Sequence, residues 1–181
     1  MRENFEDVHY HRDSILYNYI YKGPVTEWYT RVKTKLDNDY IDFDNLIPED
    51  ASIYDLGCGY GYMTYYLNRA QAKRQIIGVD YDADKISVAN NCELNNENIS
   101  FECADITNFD LDSADVFILS DVVHYLPAEK QYQLLDKCYS HLNANGKIII
   151  RDCDGDKAQR HKGTKLTEIL STNLGFNKTK N

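Results

Sequence analysis

The apolar and polar positions fall into two regimes. Up to about residue 47 the apolar positions are rich in aromatic residues, as in Tyr17-Asn18-Tyr19-Ile20-Tyr21 and Trp28-Tyr29. Gly23-Pro24 is a turn signal, and from Val25 to Leu36 the residues Trp28, Val32 and Leu36 recur at helical spacing. From residue 51 the pattern alternates. Ser52-Ile53-Tyr54-Asp55-Leu56 predicts a short strand, Tyr62 to Ala70 a helix, and Gln75 to Asp80 a second strand, which together make a βαβ unit. A helix from about Ala83 to Leu94 follows, then strands at Ile99 to Cys103 and Ala114 to Ser120. Pro127 can open the next helix, to which Leu134, Leu135, Cys138, Tyr139 and Leu142 give one apolar face. Asn145-Gly146 then turns the chain into a fifth strand, Lys147 to Arg151.

Parallel strands cannot be joined by tight turns, so strands alternating with helices imply a parallel sheet covered on both faces. The expected class is α/β, doubly wound and mostly parallel. Two regions are expected: an N-terminal helical, aromatic cap over residues 1–47 and a core over 48–181.

The totals narrow the function. With 181 residues, 43% hydrophobic and 27% charged, the chain has the balance of one globular domain. A net charge of −9 would repel a phosphate backbone, so no nucleic-acid partner is expected. No apolar run reaches the roughly 18 residues that span a bilayer, and the first residues lack a signal-peptide core, so a cytoplasmic location without membrane insertion is expected. Five cysteines without a CxxC pair argue against a disulfide framework or a zinc site. Asp152-Cys153-Asp154-Gly155-Asp156 invites a calcium-loop reading, but the sixth and twelfth positions hold Lys157 and Gly163 in place of Gly and Glu, so no metal is expected.

In doubly wound sheets ligands bind beyond the carboxyl ends of the strands. After the first strand lies Asp55-Leu56-Gly57-Cys58-Gly59-Tyr60-Gly61, whose glycines allow a sharp turn and close approach of a ligand to the main chain. The second strand ends in Asp80, suited to accept hydrogen bonds from ribose hydroxyls. The third runs into Asp105 and Ile106; Asp105 could accept from an adenine amino group while Ile106 and Tyr81 cover the ring faces.

Taken together, these residues resemble the class I S-adenosylmethionine-dependent methyltransferases over about residues 50–155. The first motif of that family corresponds to Asp55 through Gly61, its ribose acid to Asp80, its adenine-side residue to Asp105, and its fourth-strand motif to Ser120-Asp121-Val122-Val123-His124-Tyr125. The resemblance implies a Rossmann-like fold, S-adenosyl-L-methionine as cofactor, and Asp55, Gly57, Cys58, Gly59, Gly61, Asp80, Tyr81, Asp105, Ile106, Ser120 and Asp121 as its contacts. It also implies a methyl-transfer site after the fourth strand, where His124 is the candidate base for a hydroxyl or phenol acceptor and Tyr125 a second catalytic candidate. Two alternatives stand beside it: a cofactor-binding domain without turnover, and a nicotinamide oxidoreductase, against which Tyr62 in place of the third glycine of G-x-G-x-x-G counts.

A narrower resemblance lies in Tyr17 through Tyr29 and in Arg151 through Thr164. Both segments look like parts of the methyltransferase module of bacterial aryl polyene and lipid-like pathways, sometimes fused behind a transporter and an acyltransferase. It implies a small-molecule or lipid-like acceptor and a longer chain at the cytoplasmic face of a membrane. The aromatic N-terminal segment is a candidate lid, and Arg160, His161 and Lys162 could meet an acidic acceptor. Beyond a helix at Lys165 to Ser171 too few residues remain for the final strand pair usual in the family, so a C-terminally trimmed sheet with its fifth strand at the edge is expected.

Overall fold

The computed structural model describes residues 14–36 and 40–152. Helical residues 14–17 lead into helices α1 (Pro24–Leu36) and α2 (Tyr40–Leu46). The alternating body then runs β1 (Ser52–Leu56), α3 (Tyr62–Ala70), β2 (Gln75–Asp80), α4 (Ala83–Asn90), β3 (Ile99–Cys103), β4 (Ala114–Ser120), a short 3₁₀ turn at Val123–Tyr125, α5 (Ala128–Ser140) and β5 (Leu142–Arg151). The segments expected as C-terminal helix and tail fall on residues 153–181, outside the described residues.

The five strands form one all-parallel sheet in the order β3-β2-β1-β4-β5. From β1 the chain winds outward through β2 and β3, then returns to the other side of β1 for β4 and β5. The direction therefore reverses between β1 and β4, which opens a crevice at their carboxyl ends.

Strand alternation feeds two cores. Ile53, Ile76, Phe101, Val116 and Ile118 pack on one face against Tyr62, Tyr65, Tyr66 and Leu67 of α3 and Ile86 and Ala89 of α4. Tyr54, Leu56, Val79, Phe117 and Leu119 point to the other face, where Leu134 and Cys138 of α5 cover them. Ile15, Tyr19, Tyr40 and Phe43 belong to the first of these clusters, so the N-terminal aromatic segment is packed into the same core as the βαβ body.

Two local expectations shift. Leu142 lies in β5 and not on α5, because α5 ends at Ser140 with His141 as its cap, and Tyr139 is exposed. The Asn145-Gly146 turn is absorbed within β5 as an irregularity: Ala114 pairs with Leu142 but Val116 with Lys147, and Asn145 takes a φ of 65°.

Candidate active site

The loop after β1 is built by backbone hydrogen bonds to its neighbour strand. The N–H groups of Gly57 and Cys58 both donate to the carbonyl of Val79, at 2.7 and 3.1 Å, and Gly61 donates to Cys58 at 3.0 Å. Gly57, Gly59 and Gly61 have φ of 88°, 57° and 78°. A Cβ on Gly57 would fall 2.6 Å from the Val122 side chain, and one on Gly61 2.5 Å from the Phe101 ring; one on Gly59 would meet nothing within 4 Å. Gly57 and Gly61 are thus required by packing, whereas Gly59 leaves clear space beside the loop. The Cys58 thiol is pushed well up by burial, then by the nearby Asp55 and Asp80 charges, which keeps it a thiol.

Acids at the ends of β1, β2 and β3 hold the chain around them. Asp55 is buried and its Oδ2 accepts the Thr64 hydroxyl at 2.7 Å. Burial pushes its carboxyl up to about 6; the Thr64 hydrogen bond and the Lys33 charge oppose that, and Asp80 adds to it. Asp80, also buried, accepts the Gly59 N–H on Oδ2 at 2.9 Å and the Asp82 N–H on Oδ1 at 2.9 Å. Asp82 caps α4 by accepting from Asp84 N–H at 3.0 Å, so the cap and the acid that faces the loop are different residues. Asp105, exposed after β3, accepts the N–H and hydroxyl of Thr107, each at 2.9 Å, and so holds its own turn. Tyr81 is half-exposed beside it, while Ile106 is buried in the cluster with Val79 and Leu119.

After β4 the chain bends at Asp121, a non-glycine residue with φ 55°, held by its N–H donating to Arg151 at 2.8 Å. Its carboxylate pairs with the Arg151 guanidinium and lies 3.7 Å from the Lys33 ammonium, with Ser120 half-buried before it. His124 is gripped twice by Asp152: its backbone N–H donates to Oδ2 at 3.0 Å and its ring Nδ1 stands 2.6 Å from Oδ1. The rings of His124 and Tyr125 lie 4.0 Å apart, and the Tyr125 side chain is half-exposed.

A protein-family model described as "Methyltransferase domain" matches residues 47–178. The chain belongs to this family. Among curated relatives, the carboxy-S-adenosyl-L-methionine synthase of Campylobacter jejuni subsp. doylei is 32% identical over 108 residues, 59% of this chain and 46% of that protein. The enzyme of the same name from Shewanella sp. (strain W3-18-1) is 29% identical over 125 residues, 66% of this chain and 51% of its own. The chain thus spans about half the length of the curated relatives it matches. Similar folds are those of the plantazolicin methyltransferase BpumL with a substrate analogue and SAH (TM-score 0.62, 20% identity, 91% of this chain and 68% of that one) and human N-acetylserotonin methyltransferase with SAM (0.58, 20%, 88% and 46%). The expectation of a class I methyltransferase domain with a Rossmann-like parallel sheet is met.

In this methyltransferase domain the glycine loop, Asp55, Asp80, Ser120, Asp121, His124 and Tyr125 lie at one end of the sheet. Several neighbours went unread in the sequence. Asp152 stood out only as the start of a rejected calcium loop. On α1, Trp28 is half-exposed, and among the described side chains the buried ones are Thr26, Thr30 and Thr34. Two of them hide their polarity inside the helix: Thr30 donates to the Thr26 carbonyl at 2.7 Å and Thr34 to that of Thr30 at 2.9 Å. Their i, i+4, i+8 spacing was the available signal, masked by the hydroxyls. The same side of α1 carries Tyr29, whose ring centre is 5.8 Å from that of Tyr60 in the glycine loop, and Lys33. Tyr19 donates from below to the Tyr60 carbonyl at 2.9 Å.

Proposed function

We propose that this domain binds S-adenosylmethionine across its strand ends and directs methyl transfer to a hydroxyl of a small-molecule or lipid-like acceptor. The observation that carries the donor assignment is the order of acids along the sheet edge. Strand order β3-β2-β1-β4 sets Asp105, Asp80, Asp55 and Asp121 side by side in that sequence, with clear space at Gly59. An adenine amino group suits Asp105 with Tyr81 and Ile106 nearby, ribose hydroxyls suit Asp80, and an amino group suits Asp55. Gly57, Cys58 and Gly61 hold the loop's shape, and Ser120 and Asp121 border the same crevice. The names of the curated relatives and the SAH or SAM in the structural neighbours support this donor.

The cofactor supplies a methyl group on a positively charged sulfur, a leaving group that needs no protonation. What remains for the chain is to orient the acceptor, exclude water and take up a proton. His124 does the last. Asp152 holds Nδ1 and so orients the ring, Nε2 takes up the acceptor's hydroxyl proton, and Asp152 stabilises the resulting imidazolium. The Tyr125 ring beside it offers an aromatic wall to the acceptor.

Calorimetry with S-adenosylhomocysteine and with NAD tests the donor. Binding of the first and not the second is expected, and failure to bind S-adenosylhomocysteine overturns the reading. Among the described residues no helix is long and apolar enough to cross a membrane. A mass-spectrometric search for products gaining one methyl group, over phenolic and acyl hydroxyl compounds, tests the acceptor class.

A further inference from the structure

The ladder between β1 and β4 ends at the pair Leu56 and Leu119, and beyond it the two strands lead into the glycine loop and into the turn that carries His124. Val122 joins these two segments. A Cβ on Gly57 would fall 2.6 Å from Cγ2, 2.8 Å from Cβ and 3.3 Å from Cγ1 of Val122, so the valine side chain fills the notch that Gly57 leaves by having none. The floor of that notch is firm, because the Gly57 N–H is tied to the Val79 carbonyl of β2 at 2.7 Å.

The turn after β4 is shaped to deliver Val122 there. Asp121 takes a φ of 55°, a costly conformation for a non-glycine residue that persists only where its surroundings hold it. Val122 follows at φ −127° and ψ −31°, and its carbonyl accepts the Tyr125 N–H at 3.2 Å, which closes the turn around His124. A side chain branched at Cβ has few rotamers, so the contact with Gly57 fixes the backbone that carries it. Two ties of the same turn run the other way, to the end of β5: Asp121 N–H donates to the Arg151 carbonyl at 2.8 Å and His124 N–H to the Asp152 carboxylate at 3.0 Å. These locate the turn against β5, and Val122 locates it against the loop after β1.

We propose that Val122 is a positioning residue for proton transfer: seated at Gly57, it sets where the His124 ring stands relative to the donor loop. This rests on the assignment, made above, of the loop to the donor and of His124 to proton uptake. The role belongs to shape, so a residue branched at Cβ fulfils it and an unbranched one does not.

Nuclear magnetic resonance of the His124 ring Cε1–H, identified by its loss in His124→Gln, reads how well the ring is placed, with and without saturating S-adenosylhomocysteine. Calorimetry with the same nucleoside reads the loop. Val122→Ala empties the notch; its His124 signal should broaden or split in both states, as the ring takes up more than one place, while S-adenosylhomocysteine affinity changes by less than about threefold. Val122→Thr keeps the branched shape and should keep the single sharp signal of the wild type. Val122→Leu, branched one carbon further out, should broaden the signal as Val122→Ala does, and it replaces that variant if thermal melts show Val122→Ala unfolded. A single sharp His124 signal in the variants without a branch at Cβ, or a Val122→Thr signal as broad as theirs, overturns the role. So does a larger loss of S-adenosylhomocysteine affinity in Val122→Ala, which would make Val122 a support of the donor loop. A wild-type chain that does not bind S-adenosylhomocysteine overturns the donor assignment instead, and the comparison of the free proteins still decides whether Val122 places His124.

Discussion

Asp80 accepts the backbone N–H of Gly59 on one carboxylate oxygen and that of Asp82 on the other, so a single side chain at the end of β2 joins the glycine loop to the start of α4. Each oxygen keeps a second lone pair, and the carboxylate can brace the loop and still receive ribose hydroxyls. Asp80→Ala should then do two things together. S-adenosylhomocysteine affinity should fall by about 100-fold, and unfolding free energy by about 1–3 kcal/mol as two backbone N–H groups, that of Asp82 buried and that of Gly59 partly so, lose their acceptor. Calorimetry and urea melts read these separately; a fall in stability with unchanged affinity would leave Asp80 as a structural brace alone.

The glycines of the loop should respond differently to substitution. At Gly61 a new methyl would strike the Phe101 ring at 2.5 Å with the backbone at φ 78°, so Gly61→Ala should destabilise by about 2–4 kcal/mol. At Gly59 the added atoms meet no protein, so Gly59→Val should fold with only backbone strain, of order 1–3 kcal/mol, yet lose S-adenosylhomocysteine binding by filling the space beside the loop. Chemical denaturation and calorimetry on the two variants would show opposite emphasis. Intact binding by Gly59→Val would contradict the loop's assigned role.

Legibility in the sequence followed the range of the interaction. β1 through β4 were read at their observed boundaries because each is a short apolar run closed by a charged or turn residue, and the glycine loop is a local motif. α1 is legible but its facing is not: Trp28 recurs with Val32 and Leu36 at helical spacing, yet Trp28 is half-exposed while Thr26, Thr30 and Thr34 are buried, the last two donating to carbonyls of their own helix. Leu142 continued the apolar spacing of α5 yet starts β5, since three-residue periodicity cannot show where a helix is capped. Asp152 and Lys33 reach the site from 28 residues after His124 and from a separate helix, and nothing local marks either as its neighbour.

Arg74 illustrates a buried charge spent entirely on structure. Its guanidinium donates to the carbonyls of Pro48 (2.9 Å), Leu67 (3.1 Å), Asp44 (3.2 Å) and Ile47 (2.7 Å), and pairs with the Asp44 carboxylate, while its side chain is 1% exposed. It ties the loop after α2 to the end of α3, beneath the start of β1 and β2. Arg74→Ala would strand those acceptors and the Asp44 charge, and should lower unfolding free energy by about 3–5 kcal/mol. Because the site lies at the other end of the strands, S-adenosylhomocysteine affinity measured at low temperature on the folded fraction should be unchanged. A loss below about 1 kcal/mol in urea melts would show that water replaces the guanidinium.

The grip of Asp152 on His124 separates a catalytic from a positioning role. His124→Gln removes the proton acceptor and should lower kcat on a hydroxyl acceptor by about 10²- to 10⁴-fold with S-adenosylhomocysteine affinity unchanged. Asp152→Asn keeps the ring in place but presents a neutral partner, so the imidazolium loses its stabilising charge. The loss in kcat should be smaller than in His124→Gln, with S-adenosylhomocysteine affinity unchanged. An unchanged kcat in Asp152→Asn would mean that Asp152 only anchors the turn after β4.

Asp55 sets function against stability. Its folded pKa is raised to about 6, chiefly by burial, from 3.8 in the unfolded chain. Between about pH 4 and pH 6 the folded state therefore holds more protons than the unfolded one, so stability falls as pH rises through this window and levels off above it, by about 3 kcal/mol in all. Asp55→Asn keeps an acceptor for the Thr64 hydroxyl and removes the buried charge. It should be more stable than wild type at pH 7.5, by up to about 3 kcal/mol, with the difference shrinking toward zero near pH 4. Its affinity for S-adenosylhomocysteine should fall at the same time, since the partner proposed for the amino group is gone. Urea melts of both proteins across pH 4–8 decide the first point. An Asp55→Asn variant no more stable than wild type at pH 7.5 would mean that the Lys33 charge and the Thr64 hydrogen bond already offset the burial of the carboxylate.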